Sequence, residues 1–186
     1  MSRFYYFGYG SNLLQERIRL GNKSAEFVGT GIVEDHRLGF YRYSDRWKGA
    51  TATIENIEGS QVIGCVWTML NSDMENIDAQ EGVPQNVYRP IELNVKMINP
   101  LKVDGFQNIK CRSYQIVDTS SPGLPSDAYK NVIVSGAKQN SLPDFYIEKL
   151  QKIESNGVFE VKILEFINNS SVKTEEEIKI VNGVEQ

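Results

Sequence analysis

The sequence predicts a strongly curved β-sheet or a barrel, accompanied by a small number of helices. Short segments rich in β-branched and aromatic residues follow one another, and Gly, Asn, Asp or Pro residues separate them. Many strands at such short spacing are typical of a curved or closed sheet. A chain of 186 residues is long enough for one domain with a sizeable core and room for a pocket.

The strand-like segments lie mostly in the first two thirds of the chain. Residues 4–9, 26–33, 37–43, 49–54, 62–69, 88–98 and 109–117 are predicted strands, and 159–167 is a last one. Helical patterns cover residues 13–20, 72–80, 126–139 and 143–154, the last opening with a proline in its first turn. We therefore predict one domain over residues 1–167. The polar remainder, 168–186, is predicted to be a partly mobile tail.

Composition and charge argue against several classes of partner. The net charge of −4 gives no electrostatic reason to expect binding to nucleic acid or to an anionic membrane. No apolar run approaches the roughly 20 residues that span a bilayer, and the N-terminus lacks the apolar stretch of a signal peptide. We therefore predict a cytoplasmic protein with neither nucleic acid nor membrane as a partner.

The cysteines and the single histidine do not form a metal or redox motif. Cys65 and Cys111 lie within predicted strands, and in a reducing compartment we expect both to be buried free thiols. Their spacing matches no zinc or redox pattern. A hydrolase that needs a histidine base would have to use His36 alone, which disfavours that class. No metal and no cofactor are predicted.

The most informative segment is the run Tyr-Tyr-Phe-Gly-Tyr-Gly-Ser-Asn-Leu-Leu at residues 5–14. A strand-like aromatic run breaks at glycines 8 and 10, which permit positive φ and close approach of other groups to the backbone. Successive N–H groups in such a loop can form a nest that binds a carboxylate or a phosphate. The alternative is an ordinary strand–turn–helix junction with Ser11 or Asn12 as the helix cap. The spacing fits neither a Walker P-loop nor a dinucleotide fingerprint.

One carboxylate, Glu81, is predicted to face the interior. Residues 72–75 have the spacing of a capping box, so we expect a helix to begin near Ser72. Met74, Ile77 and Glu81 then share one helix face, and the apolar residues mark that face as buried. Burial, together with the helix C-terminus expected at the following glycine, raises the pKa of a carboxyl group. Such a group suits general base catalysis, but a structural pairing with an arginine or a backbone donor is the alternative.

Other residues on this helix and near it are ambiguous. The acidic residues Asp73, Glu75 and Asp78 are predicted to be solvated or to cap the helix. Tyr88 begins a strand and Tyr129 lies on a helix, so each either presents its hydroxyl to a substrate or packs in the core. Trp67 is predicted to be a core residue.

Several of these segments together resemble the γ-glutamylcyclotransferase family. The resemblance lies in residues 6–13, 78–83, 129–133 with 136–138, and, less specifically, 49–54 and 111–114. It runs from about residue 4 to residue 153 and leaves the tail uncovered. Two positions depart from the family pattern: Gly8 replaces the usual alanine, and Asn86 stands where glycine is common. If that turn needs positive φ, asparagine is the best-tolerated substitute.

The resemblance implies an α+β fold, in which helices surround a small mixed β-barrel. It also implies that Glu81 performs acid–base catalysis and that the loop over residues 6–11 holds the γ-glutamyl end of a small-molecule substrate. The implied substrate-binding residues are Tyr6, Phe7, Gly8, Tyr9, Gly10, Ser11, Asn12, Tyr88 and Tyr129. Neither metal nor cofactor is implied, and a homodimer is possible, as in family members.

The implied reaction releases 5-oxoproline and a free amino acid. The substrate's own α-amino group attacks its γ-carbonyl carbon, so the enzyme need only fold the substrate and transfer protons. A preference for γ-glutamylamines or for glutathione is an alternative, because the sequence does not define the pocket beyond the γ-glutamyl unit. A binding or regulatory protein that keeps the fold without turnover is a third interpretation.

Overall fold

The computed structural model describes residues 2–100 and 108–162, together with Glu165 and Ile167. Its centre is a closed five-stranded barrel in which the strands are ordered β1-β3-β2-β4-β5. The strands are β1 (Arg3–Gly8), β2 (Glu26–Ser44), β3 (Gly49–Leu70), β4 (Tyr88–Pro100) and β5 (Asn108–Ile116). Neighbouring strands are antiparallel, except that β1 and β5 meet in parallel with Tyr6 opposite Arg112. The mixed β-barrel implied by the family resemblance is confirmed.

Helices cover the barrel on the side of the loop after β1. They are α1 (Gln15–Arg19), α2 (Met74–Gln80), α3 (Asp127–Gln139) and α4 (Asp144–Gln151). α3 packs against the chain just before α1, where a Cβ on Gly136 would lie 2.4 Å from the backbone nitrogen of Leu14. Glycine at position 136 therefore lets this helix press on the loop that follows β1. No described helix has the length and apolar character needed to cross a membrane.

Two pairs of predicted strands are in fact two long strands, β2 and β3. The polar residues that suggested a turn near position 35 form a bulge, between Glu34 and His36, in the β2–β3 ladder. Asp35 takes φ of 55° there, and its carboxylate accepts a hydrogen bond from the Gly59 N–H at 2.9 Å. A bulge absorbs such a residue without ending the strand. The predicted break was therefore wrong.

The predicted last strand, 159–167, is also wrong where the structure describes it. Val161, Lys162, Glu165 and Ile167 are helical. The β-branched residues of this segment suggested a strand, but the described barrel is already closed and offers no edge for another strand. The tail over 168–186 lies outside the described residues.

The barrel interior holds the expected apolar core. Trp67 and Phe7 are among its fully buried side chains, which confirms the interpretation of Trp67 as a core residue. Cys65 and Cys111 are buried free thiols, as expected. The core fixes the strand ends from which the candidate site is built.

Candidate active site

The loop between β1 and α1 forms one wall of the candidate site. β1 ends at Gly8, and a single 3-10 turn over Ser11–Leu13 follows. The indole N–H of Trp67 donates to the backbone oxygen of Asn12 at 3.1 Å and ties this turn to the barrel core. Neither Ser11 nor Asn12 caps a helix through its side chain, so the expected cap is wrong.

Glycine in this loop provides space, not positive φ. The φ angle of Gly10 is −111°, and Gly8 is not among the residues with positive φ. A Cβ on Gly8 would lie 3.0 Å from the backbone oxygen of Asn12, and one on Gly10 would lie 3.3 Å from the hydroxyl oxygen of Tyr129. The close approach predicted at these glycines is therefore confirmed, whereas the positive φ is not.

The loop also carries backbone donors that the fold does not use. The N–H groups of Gly10, Ser11 and Asn12 donate to no backbone carbonyl elsewhere in the described part of the chain. Such groups beside a cleft are suited to a carboxylate or to a developing oxyanion. The anion-binding nest remains a prediction that this geometry supports.

Glu81 lies at the end of α2 and faces the loop. α2 ends at Gln80, and Gly82 takes the left-handed conformation, with φ of 67°, that terminates the helix. Ile77, which precedes Glu81 by one turn, is completely buried, and Glu81 itself is partly buried. The predicted inward orientation is confirmed. The capping box is wrong, because no side chain caps this helix and Asp73 instead accepts from the Ser24 hydroxyl at 2.5 Å.

Two amide side chains hold the Glu81 carboxyl group. Asn12 Nδ2 donates to Glu81 Oε1 at 3.0 Å, and Gln80 Nε2 donates to the same oxygen at 3.4 Å. The Asn12 amide nitrogen also donates to the Tyr6 hydroxyl at 2.9 Å. No described residue donates to Glu81 Oε2. One carboxylate oxygen is thus anchored, and the other has no protein donor within the described chain.

Burial raises the pKa of Glu81 above the usual value for glutamate, as predicted. The charge of Arg17 and the hydrogen bond from Asn12 oppose this effect on the pKa, while the charge of Asp78 adds to it. No cation of the described chain lies within 4.0 Å of this carboxyl group. The alternative of a structural ion pair with arginine therefore finds no support.

Tyr88 and Tyr129 line the same cleft as Glu81 and share one anchor on β3. The Tyr88 hydroxyl donates to the backbone oxygen of Ala52 at 2.7 Å, and the Tyr129 hydroxyl accepts from the Ala52 N–H at 3.2 Å. Burial raises the pKa of Tyr129 to about 12, so its hydroxyl stays protonated at cellular pH. Because this oxygen accepts from the backbone, its own proton is available to a ligand.

A small cleft lies between these groups. Its lining consists of Tyr6, Tyr9, Gly10, Ser11, Asn12, Ala52, Glu81, Tyr88 and Tyr129. All the predicted binding residues except Phe7 and Gly8 are therefore brought together. Phe7 points into the barrel core and Gly8 packs against Asn12. The roles of the cleft residues remain predictions.

A larger groove lies elsewhere, along β1, β4 and β5. Its charged residues are engaged in ion pairs: Arg3 with Glu26 at 3.2 Å, Lys110 with Glu92 at 2.8 Å, and Arg112 with Asp78 at 2.7 Å. The groove does not contain Glu81. The smaller cleft is the better candidate, because it joins a carboxyl group of raised pKa to unused donors.

Asp78 was predicted to be solvated or to cap the helix, and this is wrong. Its carboxylate accepts from the Arg112 guanidinium at 2.7 and 2.8 Å and also from the Tyr114 hydroxyl. The Tyr114 ring lies 6.0 Å from that of Tyr6, centroid to centroid. This cluster therefore packs against Tyr6, which lines the cleft.

Ala52 and Arg17 were not among the predicted site residues. Ala52 contributes only backbone atoms, so its side chain gives no signal. Arg17 stands in the polar run Gln-Glu-Arg. The backbone is extended at Leu14, so no helical spacing from the buried Leu13 signals that Arg17 turns inward.

The chain is similar to known proteins over most of its length. Residues 61–150 match the model of the AIG2-like family. A gamma-glutamylcyclotransferase from Bos taurus is 41% identical over 178 residues, covering 92% of this chain and 91% of the relative. The enzyme of the same name from Mus musculus is 44% identical over 157 residues, which cover 82% of this chain and 80% of the relative. This chain belongs to the γ-glutamylcyclotransferase family.

A solved structure extends the comparison to three dimensions. A gamma-glutamyl cyclotransferase superimposes with a TM-score of 0.81 at 39% identity, covering 90% of this chain and 99% of that one. The family resemblance drawn from the loop at residues 6–13 and from the segment at 78–83 is confirmed. Membership of this family makes the chain an enzyme of the γ-glutamylcyclotransferase class. The alternative of a non-catalytic binding protein is not supported by these similarities.

Proposed function

We propose that this enzyme converts γ-glutamyl amino acids into 5-oxoproline and a free amino acid, with Glu81 as both base and acid. The observation that carries the proposal is the state of the Glu81 carboxyl group. Its Oε1 is held by Asn12, its Oε2 accepts no hydrogen bond from a described residue, and it borders the cleft. A fixed carboxyl group with one free oxygen is well placed to exchange a proton with a bound ligand.

The first step is removal of a proton from the substrate's α-ammonium group. The α-amino group of a peptide has a pKa of about 8, which lies far above that of an ordinary glutamate. Burial raises the pKa of Glu81 and narrows this difference. The proton transfer from nitrogen to Oε2 is therefore less uphill than it would be to a solvated carboxylate.

Ring closure follows, and all atoms come from the substrate. The α-nitrogen forms a bond to the γ-carbonyl carbon, and the carbonyl oxygen becomes an oxyanion. The N–H groups of Gly10, Ser11 and Asn12 are suited to stabilise this oxyanion. The acceptor nitrogen takes the proton held by Glu81, and its bond to the same carbon breaks. The ring nitrogen then gives its second proton to the freed Glu81 carboxylate, which passes it to the departing amine, so the amine leaves as an ammonium. The carboxylate returns to its starting state.

The tyrosines around the cleft have a positioning part in this scheme. Attack within one molecule is fast when the chain is bent into a five-membered ring before reaction. Tyr88 and Tyr129 are both hydrogen-bonded to Ala52, so their hydroxyl groups are held in the cleft that Glu81 also lines. They are suited to hold the γ-glutamyl chain in the bent form.

The proposal also covers the cellular compartment, the oligomeric state and the preferred substrate class. The buried free thiols of Cys65 and Cys111 suit the reducing cytoplasm. A homodimer is the assembly that the family resemblance suggests, and sedimentation of the purified protein tests it. γ-Glutamyl amino acids are proposed as substrates ahead of γ-glutamylamines and glutathione, and relative rates on the three classes decide between them.

The test is release of 5-oxoproline from γ-glutamyl-alanine, with γ-glutamyl-ε-lysine and glutathione in parallel. Glu81→Gln should lower the rate on the order of 10²- to 10⁴-fold, the usual contribution of a general acid–base group. Glu75→Gln on the exposed side of the same helix is the matched control and should keep full activity. Equal rates for wild type and Glu81→Gln would overturn the role of Glu81. No release from any substrate would overturn the proposed activity.

A further inference from the structure

Arg17 is a buried cation beside the proposed site, and the proton transfers described above do not use it. It lies on α1, immediately after the loop that lines the cleft, and only 8% of its surface is exposed. Burying a guanidinium without a partner costs free energy, so a buried arginine is normally paired with an anion. The identity of that anion is therefore a question that the structure raises.

The protein itself does not supply the anion within the part of the chain that is described. No described carboxylate lies within 4.0 Å of the Arg17 guanidinium, and no described residue accepts a hydrogen bond from it. Its central carbon lies 6.0 Å from the centroid of the Trp47 ring, a cation–π contact. The Trp47 ring in turn lies 4.6 Å from that of Tyr129, which lines the cleft.

The charge of Arg17 acts on the cleft. It lowers the pKa of Glu81 and opposes the burial that raises it. Among the charged groups around Arg17, Glu81 has the largest effect on the pKa of the guanidinium. A negative side chain that lines the cleft and a buried positive side chain thus act on each other, and neither is neutralised by a direct ion pair within the described chain.

This pair of charges complements one end of the proposed substrate. The α-carbon of a γ-glutamyl unit carries an ammonium and a carboxylate on the same atom. When the substrate's ammonium group lies beside Glu81, the substrate's α-carboxylate is held close by, because both groups are attached to the same carbon. That α-carboxylate needs a cation as its partner. The second carboxylate, on the acceptor amino acid, lies beyond the bond that breaks, on the far side of the γ-carbonyl.

We propose that Arg17 recognises the α-carboxylate of the γ-glutamyl unit, which leaves the loop N–H groups for the oxyanion. This inference rests on the proposed function. It makes Arg17 a specificity-determining residue, and it accounts for a buried guanidinium that has no protein anion in the described chain. The carboxylate satisfies the guanidinium and the guanidinium orients the amine toward Glu81.

The experiment compares γ-glutamyl-alanine with an analogue in which only the α-carboxylate is a carboxamide. Ring closure of the analogue releases 5-oxoprolinamide and alanine, so both rates are measurable as alanine release. Wild type should prefer the carboxylate by a factor on the order of 10 to 100, the usual effect of a charge-assisted hydrogen bond. Arg17→Met should bring the ratio of the two kcat/KM values close to one. Arg17→Lys, which keeps the charge, should retain the direction of the preference.

The matched control is Arg19→Met, on the same helix but exposed. It should leave the preference unchanged. Equal losses on both substrates in Arg17→Met would show a purely structural role and overturn the proposal. The proposal would equally fail if Arg17→Met abolished a preference for γ-glutamyl-alanine over γ-glutamyl-alaninamide, because Arg17 would then bind the acceptor's carboxylate.

Binding separates failure of this proposal from failure of the proposed function. In the Glu81→Gln background, calorimetry measures the affinities of γ-glutamyl-alanine and of the α-carboxamide analogue without turnover. The carboxylate should bind more tightly, and adding Arg17→Met should remove the difference. Should Arg17→Met fail to fold, Arg17→Gln replaces it. A wild-type protein without turnover would overturn the proposed activity, while the binding ratio would still decide the role of Arg17.

Discussion

The amide of Asn12 donates to Glu81 Oε1 at 3.0 Å, which joins the loop after β1 to the end of α2 across 69 residues of chain. The same amide nitrogen donates to the Tyr6 hydroxyl at 2.9 Å. Gln80 donates to the side-chain oxygen of Asn12 at 3.2 Å and fixes the orientation of this amide. The proposed binding loop and the proposed acid–base group are therefore a single hydrogen-bonded unit.

Asn12→Ala should impair turnover and change its dependence on pH. The Asn12 amide favours the ionised carboxylate, so its loss moves the pKa of Glu81 further upward. Since the base form of Glu81 starts the reaction, the acid limb of the pH–rate profile should move to higher pH. We expect kcat/KM to fall roughly 10-fold or more at neutral pH, from loss of a hydrogen bond to a charged group. An unmoved acid limb would show that Asn12 does not act on the titrating group.

Asp78→Asn should move the acid limb of the pH–rate profile to lower pH. The negative charge of Asp78 raises the pKa of Glu81, so removing it lowers that pKa. The variant also weakens the double hydrogen bond from Arg112, which should cost about 1–3 kcal/mol of unfolding free energy. Rate profiles and denaturant titrations measure the two effects. Glu75→Gln removes a charge from the exposed side of α2 and should change neither.

Glu81→Gln should alter the pH dependence of stability. A carboxyl group whose pKa is higher in the folded than in the unfolded state binds protons more tightly when folded. Its contribution is fully present below the unfolded pKa, and it is lost as pH rises through the folded pKa. Wild type should therefore lose stability over this interval, and the variant should lose less. Denaturant midpoints from pH 4 to pH 8 test this, and parallel curves for both proteins would contradict the raised pKa.

Gly136→Ala should loosen the site from a distance. The new Cβ would lie 2.4 Å from the backbone nitrogen of Leu14 and 2.5 Å from the carbonyl carbon of Leu13. α3 or the loop has to move, which should cost about 1–3 kcal/mol of stability. Activity should fall as well, because the moved segment is continuous with the binding loop. Asn131→Ala, on the exposed side of α3, is the control for a change of helix composition.

Local patterns predicted the parts of this fold that depend on local forces. Residue composition located all five strands. The helical period correctly predicted that Glu81 faces inward, because it shares a helix face with the buried Ile77. Asn86 takes φ of 56°, which is the case in which asparagine is the best-tolerated substitute for glycine. In each case the deciding interaction lies within a few residues along the chain.

Interactions between distant segments account for the errors. The sequence around Asp78 predicts a surface residue. Its partner, Arg112, lies on β5, and no residue pattern near position 78 indicates this ion pair. Arg17 stands in the polar run Gln-Glu-Arg, and only the fold buries it under Trp47. The bulge at Asp35 resembles a turn because both need a polar residue that tolerates positive φ. The family resemblance, not the pattern of residues, indicated that the barrel is mixed.

The parallel seam between β1 and β5 sets when the cleft is assembled. Near that seam the Ser113 hydroxyl donates to the backbone oxygen of Phe7, across 106 residues. Pairings of such sequence separation cost more loop-closure entropy than local contacts, and they slow folding. A nascent chain that has only its first hundred residues outside the ribosome already carries the glycine loop and Glu81. It lacks β5, so we expect catalytic competence to appear only with closure of the whole barrel.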